Sequence, residues 1–118
     1  DGDSHLERIR NLFLNRVAMG TINITLDLSV AFSIAELRHG LPNAFAAPRR
    51  AYLALRDEIE AAQSAGILTP DVEAGTIAEG LLLAAAGLIH AWQLAGGDFP
   101  VMERASVYAD TQLRLLQK

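Results

Sequence analysis

The sequence contains no cysteine, which excludes disulfides and thiolate metal sites outright. It also has no basic cluster. Its Lys and Arg residues, 10 in all against 14 Asp plus Glu, stand singly except for Arg49-Arg50, and the net charge is -4. A domain that itself grips nucleic acid shows a clustered basic face, so these residues are not expected to bind DNA by themselves. No charged, apolar, small-residue sequence at the front resembles a signal peptide. The first residue is Asp1 rather than Met, so the numbering is expected to start inside a longer precursor or after a removed segment. The composition, 51% hydrophobic and 20% charged over 118 residues, is that of one ordinary globular domain. A chain of this size buries about two-thirds of its unfolded surface, enough for a core without staples.

Helix punctuation is explicit. Ser4-His5-Leu6-Glu7 fits a capping box, followed by a stripe of Leu6, Ile9, Phe13 and Val17 that Gly20 can stop. Leu37-Arg38-His39-Gly40-Leu41-Pro42 reads as a second helix ending, with cations before Gly and Pro. A turn over Asn43 to Ala47 leads to Pro48 in the first turn of a long helix that buries Tyr52, Leu55, Ile59 and Ala62 and ends at Gly66. Thr69-Pro70-Asp71 offers a cap, a first helical residue and a carboxylate for the helix dipole. That helix is expected to run to about Ala95 and stop at Gly96-Gly97. Asp98-Phe99-Pro100 then opens a last helix carrying Val101, Ala105, Tyr108, Ala109, Leu113 and Leu116 on one side.

One segment is ambiguous. From Ile22 to Ile34 apolar residues occupy every even position, a strand-like alternation. No other segment offers a strand partner. The same residues fall on two opposed faces of a helix, which suits a central helix covered on both sides, so a helix is expected from about Leu26 to His39, with residues 20–25 open between helix and strand. The fold class is therefore all-α, an antiparallel bundle of about five helices in a single domain.

The stretch LLLAAAGLIHAWQLAGGDF, residues 81–99, carries no charge before Asp98. A membrane span needs about 20 apolar residues with anchoring flanks. Here 18 uncharged positions between Glu79 and Asp98 include glycines, His90 and Gln93 and lack aromatic or basic flanks, so a core helix is expected and no membrane association. A helix apolar nearly all round must be covered nearly all round. One layer of helices covers one side; small residues Ala84, Gly87 and Ala91 suit close approach by a second chain on the other. With the last helix, this makes an intermolecular four-helix bundle in a homodimer, with Ala84, Leu88, Ala91, Trp92, Tyr108, Ala109, Leu113 and Leu116 at the interface.

The ordered set Gly66 to Asp71, then Gly87-Leu88-Ile89, Trp92 and Phe99, resembles the C-terminal regulatory domain of the TetR family of bacterial transcriptional repressors, especially its AcrR-like multidrug-efflux branch. The similarity is good over residues 48–118 and faint over residues 4–47. It implies a cytoplasmic, dimeric, ligand-sensing domain. DNA would be read by the family's N-terminal helix-turn-helix domain, to which nothing in this sequence corresponds. It also implies that Leu28, Phe32, Leu55, Leu82, Ala85 and Ile89 face a pocket for a small hydrophobic effector. Phe13 with Val17, and Leu55 with Ile59, are further one-turn apolar pairs suited to lining it, though every one of these residues also suits a filled core. Polar anchors for the effector would come from Glu36, Arg10 or Gln93.

No catalytic constellation, metal set or cofactor motif is expected. His90 has no Asp, Glu or His at a spacing of three or four and reads as a hydrogen-bonded core or interface histidine. His39 reads as paired with a helix dipole and His5 as part of a cap. Asp57, Glu58 and Glu60 read as a solvated face with Arg56. The alternative to a ligand sensor is a small helical homodimeric interaction module with a filled core.

Overall fold

In a computed structural model that describes residues 2–39 and 49–118, the chain forms five helices: α1 Gly2–Gly20, α2 Leu26–His39, α3 Arg49–Ser64, α4 Ala74–Leu94 and α5 Val101–Leu116. No strand occurs among the described residues; the one extended pairing is an isolated bridge between Leu68 and Gln117. The all-helical class and the helix count match the expectation. The readings of Gly40 to Pro48 lie outside the described residues, as does the side chain of His39.

α1, α3 and α5 are buried along the stripes their sequences mark, whereas α2, expected to be covered on both sides, exposes Leu28, Phe32 and Ile34. α1 turns Ile9, Phe13 and Val17 inward, α3 turns Leu55, Ile59 and Ala62, and α5 turns Val101, Ala105, Ala109 and Leu113. α4 supplies the largest share, with Ala78, Leu81, Ala85, Leu88 and Trp92 in the same cluster. It packs on α3, α1 and α5, while α2 sits at the edge of the bundle, chiefly against α4. α4 also has the length and hydropathy of a membrane span. A soluble protein's core helix passes the same test.

The glycine stops are of one kind. Gly66 has φ +77°, the amide of Ile67 donates to Ala62 O at 2.9 Å and that of Gly66 to Gln63 O at 3.0 Å. Gly96 has φ +66°, with Gly97 donating to Trp92 O at 2.9 Å and Gly96 to Gln93 O at 3.0 Å. Both are Schellman endings, whose left-handed residue a side chain would strain.

The helix starts differ from expectation in two places. α1 begins at Gly2, so Ser4 lies within its first turn rather than at its cap. α4 begins at Ala74 after an extended Glu73 with no side-chain cap bond, not at Thr69. Tertiary hydrogen bonds delay it. The Gln63 amide donates to the carbonyls of Thr69 (3.0 Å) and Val72 (2.8 Å), and Thr69 N donates to Leu116 O at 2.8 Å. The Thr69 hydroxyl accepts from Asp71 N at 3.2 Å and so makes a local turn. Lys118 N donates to Ile67 O at 3.0 Å, completing the attachment of the end of α5 to this loop.

Residues 21–25 are neither helix nor strand but a turn. The buried Thr21 hydroxyl donates to Val17 O at 2.7 Å, and Asn23 N donates to Ala18 O at 3.0 Å, so these two carbonyls in the last turn of α1 are satisfied. Thr25 Oγ1 accepts from Leu28 N at 3.2 Å, an N-cap for α2.

Ile59 is fully buried and Phe32 is 55% exposed, which sets up a direct contrast. Ile59→Ala should cost about 2–5 kcal/mol, whereas Phe32→Ala should stay within about 0.5 kcal/mol of the parent. Urea denaturation of the two variants checks this; similar losses for both would contradict the packing described.

Candidate ligand-binding cavity

The apolar residues singled out in the sequence divide into two groups. Phe13, Val17, Leu55, Ile59 and Ala85 are all buried in one cluster, packed against each other, and Leu82 is a half-buried neighbour of it. They form solid core rather than a cavity wall. Leu28 and Phe32 lie exposed on α2. Phe32 and Ile89 alone of the nine line the cavity described next.

That cavity, of about 340 Å³, lies where the end of α1 meets α2 and α4. Its wall comprises Arg16, Met19, Gly20, Ile24, Ser29, Phe32, Ser33, Ala35, Glu36, Ile89 and Gln93. The volume falls at the lower end of the range of roughly 300–1,000 Å³ for small-molecule sites. Two of the three expected anchors, Glu36 and Gln93, are on its wall. Arg10 is not: it bonds Asp110 at 2.8 Å and ties α1 to α5. Met19, Ile24, Ser29 and Ser33 were missed. The serines carry a legible signal, two small hydroxyls one turn apart in the otherwise apolar stretch from Leu28 to Ala35.

Local packing explains the shape. α1 and α4 approach so closely at Gly20 that a Cβ there would sit 2.5 Å from Ile89 Cδ1 and 2.9 Å from Cγ1. Glycine admits that contact without a shift of the Ile89 side chain, which lies against the end of α1 beside the cavity. On the wall, the Gln93 amide donates from Nε2 to Ser29 O (3.1 Å), Ser29 Oγ (2.9 Å) and Ser33 Oγ (2.8 Å). Ser29 Oγ in turn donates to Gly20 O at 2.7 Å. One polar chain thus links the end of α1, α2 and α4.

The interface expectation requires a correction in the rotation of α4. Leu88 and Trp92 are buried within the chain, in line with Leu81 and Ala85. Each residue advances about 100°, so Leu88 falls only about 60° from Ala85 and shares its inward face. Ala109 and Leu113 are likewise intrachain core, and Leu116 is half-buried against it. Ala84 and Tyr108 lie on the outside, with Ala91 half-buried at the margin. The outer face of α4 and α5 is nonetheless apolar: Leu83, Leu94, Val107, Tyr108 and Leu115 are exposed, beside exposed Gly80 and Gly87. Between the two helices runs a groove of about 230 Å³ floored by Ile77 and Leu81 and edged by Gly80, Ala84, Gln112 and Leu116.

The remaining polar candidates are structural. His90 is exposed on the outer side of α4 rather than in the core. His5, within α1 rather than at a cap, approaches Glu58 at 3.5 Å and Arg8 at 3.1 Å. Glu58 also binds Arg8 at 2.8 Å, joining α1 to α3, so it points away from the solvated pair that its neighbours form. Asp57 and Glu60 hold Arg56 at 3.1 and 3.2 Å, and the hydrogen bond to Asp57 is the main reason the guanidinium pKa is raised above its ordinary value. Among the described residues no group of three or more His, Asp or Glu side chains is placed to hold a metal ion.

The Gly20–Ile89 contact yields a double-mutant test. Gly20→Ala should destabilise by about 1–3 kcal/mol through overpacking, and most of that loss should vanish when Ile89→Ala is already present. Additive losses in chemical denaturation would mean that the two residues are not in contact. Comparison of the chain with family models, with curated proteins and with solved structures finds no match.

Proposed function

We propose that this chain is the effector-binding and dimerisation part of a TetR-family, AcrR-like transcriptional repressor, a cytoplasmic regulator of multidrug efflux. Contact with DNA then belongs to an N-terminal helix-turn-helix domain outside these 118 residues. The observation that carries the reading is a single helix, α4, with three different surroundings. One side is core, its C-terminal part borders a ligand-sized cavity through Ile89 and Gln93, and its outer side is apolar and open, with Leu83 and Leu94 exposed. The landmarks from Gly66 to Phe99 fall on this helix and its two flanking turns.

In this reading a small hydrophobic effector enters between α1, α2 and α4 and favours one helix arrangement over another. The shift it produces is limited by its difference in affinity for the two arrangements. The outer face of α4 and α5 meets its copy in a second subunit. The competing reading, an interaction module with a filled core, draws on the tight packing of Phe13, Val17, Leu55, Ile59 and Ala85.

Two measurements test the proposal. Sedimentation should show a dimer at micromolar concentration, and Ala84→Arg, which inserts a charge into the outer face, should shift it to monomer by costing several kcal/mol of association (about 3–5 for an unpaired buried charge). A monomeric parent chain would remove the dimer. A neutral hydrophobic probe should change the fluorescence of Trp92, the chain's single tryptophan, and the change should saturate. A dimer with no saturable response would leave the filled-core module as the better account.

A further inference from the structure

We propose that the outward face of α2 is a second self-association surface, on which α2 of another copy of this chain lies antiparallel. The contact is separate from the outer face of α4 and α5, and it does not depend on the cavity binding a ligand.

α2 is covered on one side only. It packs chiefly on α4, with Ser29 buried and Leu26, Val30 and Ser33 half-buried. At about 100° per residue, Leu28, Ala31, Phe32 and Ala35 fall within roughly 60° of the opposite direction, and all four are exposed. Over that span the face carries no polar side chain. A helix apolar on both sides calls for cover on both.

The charges at the border of this face fit a second copy. Asp27 and Arg38 lie on the same edge of it, about 20° apart round the helix and about 16 Å apart along it. Both are exposed, and among the described residues neither has an ion-pair partner. A two-fold axis perpendicular to two antiparallel helices brings the same edge of each together. It sets Asp27 of one copy opposite Arg38 of the other and Arg38 opposite Asp27, so the edge is complementary to itself. The axis then passes between the levels of Phe32 and Ser33. Phe32, on the other edge, meets Phe32 of the copy as an aromatic pair, and Ala31 and Ala35 between the edges let the helix axes approach closely. Glu36, beyond the Phe32 edge, comes no nearer than about 10 Å to its counterpart, where salt screens the repulsion. Parallel pairing swaps the edges, turns both charges toward the Phe32 edge and forms no ion pair.

The strength of the contact follows from its size. Four side chains on one helix cover far less than the roughly 800 Å² per partner of a standard interface. The pairing is therefore weak and forms well above the micromolar range in which the α4–α5 dimer is expected. Two different two-fold contacts on one chain carry assembly beyond the dimer, to a closed tetramer or an extended array.

The chain has no cysteine, so Ala31→Cys installs a single thiol beside the proposed axis. Under mild oxidation well above micromolar concentration it should form an interchain disulfide at least about tenfold faster than Ser64→Cys, an exposed site at the end of α3 that reports random collision. Adding Asp27→Arg or Arg38→Asp should slow the reaction about tenfold, because the two-fold repeats the pair and both copies of it become repulsive. Adding both reversals together should restore the rate to within about twofold. A single reversal also opposes the helix dipole, and the double opposes it at both ends, so recovery in the double cannot come from helix stability. Sedimentation of the same charge variants without the cysteine, at high concentration, should give the same order of self-association. The pattern should persist with Ala84→Arg, which removes the other face; crosslinking that vanishes there belongs to the α4–α5 contact and overturns the proposal. Equal rates for Ala31→Cys and Ser64→Cys overturn it, as does a double reversal no better than the single ones. Loss of the micromolar dimer in the parent chain, with the α2 pattern intact, overturns only the α4–α5 reading.

Discussion

The α4 helix carries apolar side chains around most of its circumference, and the rest of the molecule is arranged to cover them. α3 and α1 take the side presented by Ala78, Leu81 and Ala85, and α5 closes beside it through Val101, Ala105 and Ala109. α2 reaches only the last turns, through Leu26 packed against the core and through a glutamine bonded to two serines. At about 25 cal/mol per Å² of apolar surface removed from water, uncovered aliphatic side chains forgo a substantial stabilisation. Leu83 and Leu94 therefore stand out on the open side.

Apolar packing and polar linkage are thus divided between different parts of the bundle. In the α1–α3–α4–α5 core, helices meet mainly through aliphatic side chains and Phe13, and ion pairs such as Arg8–Glu58 and Arg10–Asp110 lie at the periphery, where each contributes at most about 1 kcal/mol. At the α1–α2–α4 corner the order is reversed. Hydrogen bonds from Gln93, Ser29 and Thr21 hold the elements, and the space between them is incompletely filled. Local stability within a fold follows the density of buried apolar contacts, so this corner is the part most easily rearranged.

Much of the helical layout was legible in the sequence because it is written in local signals. Gly66 and Gly96-Gly97 stop helices through backbone geometry that needs no distant partner, and the stripe Ile9, Phe13, Val17 declares its own inward face. The alternating segment Ile22 to Ile34 was resolved as a helix for want of a strand partner, and α2 does start at Leu26. What was not legible depends on other elements. The delayed start of α4 results from Gln63 and Leu116 bonding the loop ahead of it, which no cap pattern at Thr69 reveals. The rotation of α4 was misjudged because a helix apolar on several faces gives no moment to read; Leu88 and Trp92 are inward only because α3 and α5 are where they are. Of the eleven residues of the cavity wall, Phe32, Ile89, Glu36 and Gln93 were legible. The rest comes from Ser29, Ser33 and Ala35 of α2 and from the end of α1 and the turn after it, where Gly20 fits under Ile89.

The bridge between Leu68 and Gln117, with the bonds from Thr69 to Leu116 and from Lys118 to Ile67, fastens the far end of α5 to the loop ahead of α4. The Gly96-Gly97 turn joins the same two helices at their other end. A pair of rods pinned at both tips behaves as a plank: it can tilt as one body but cannot scissor. Displacement at the α1–α2–α4 corner then falls on α2, which packs on the bundle chiefly through α4 and is held there by Gln93.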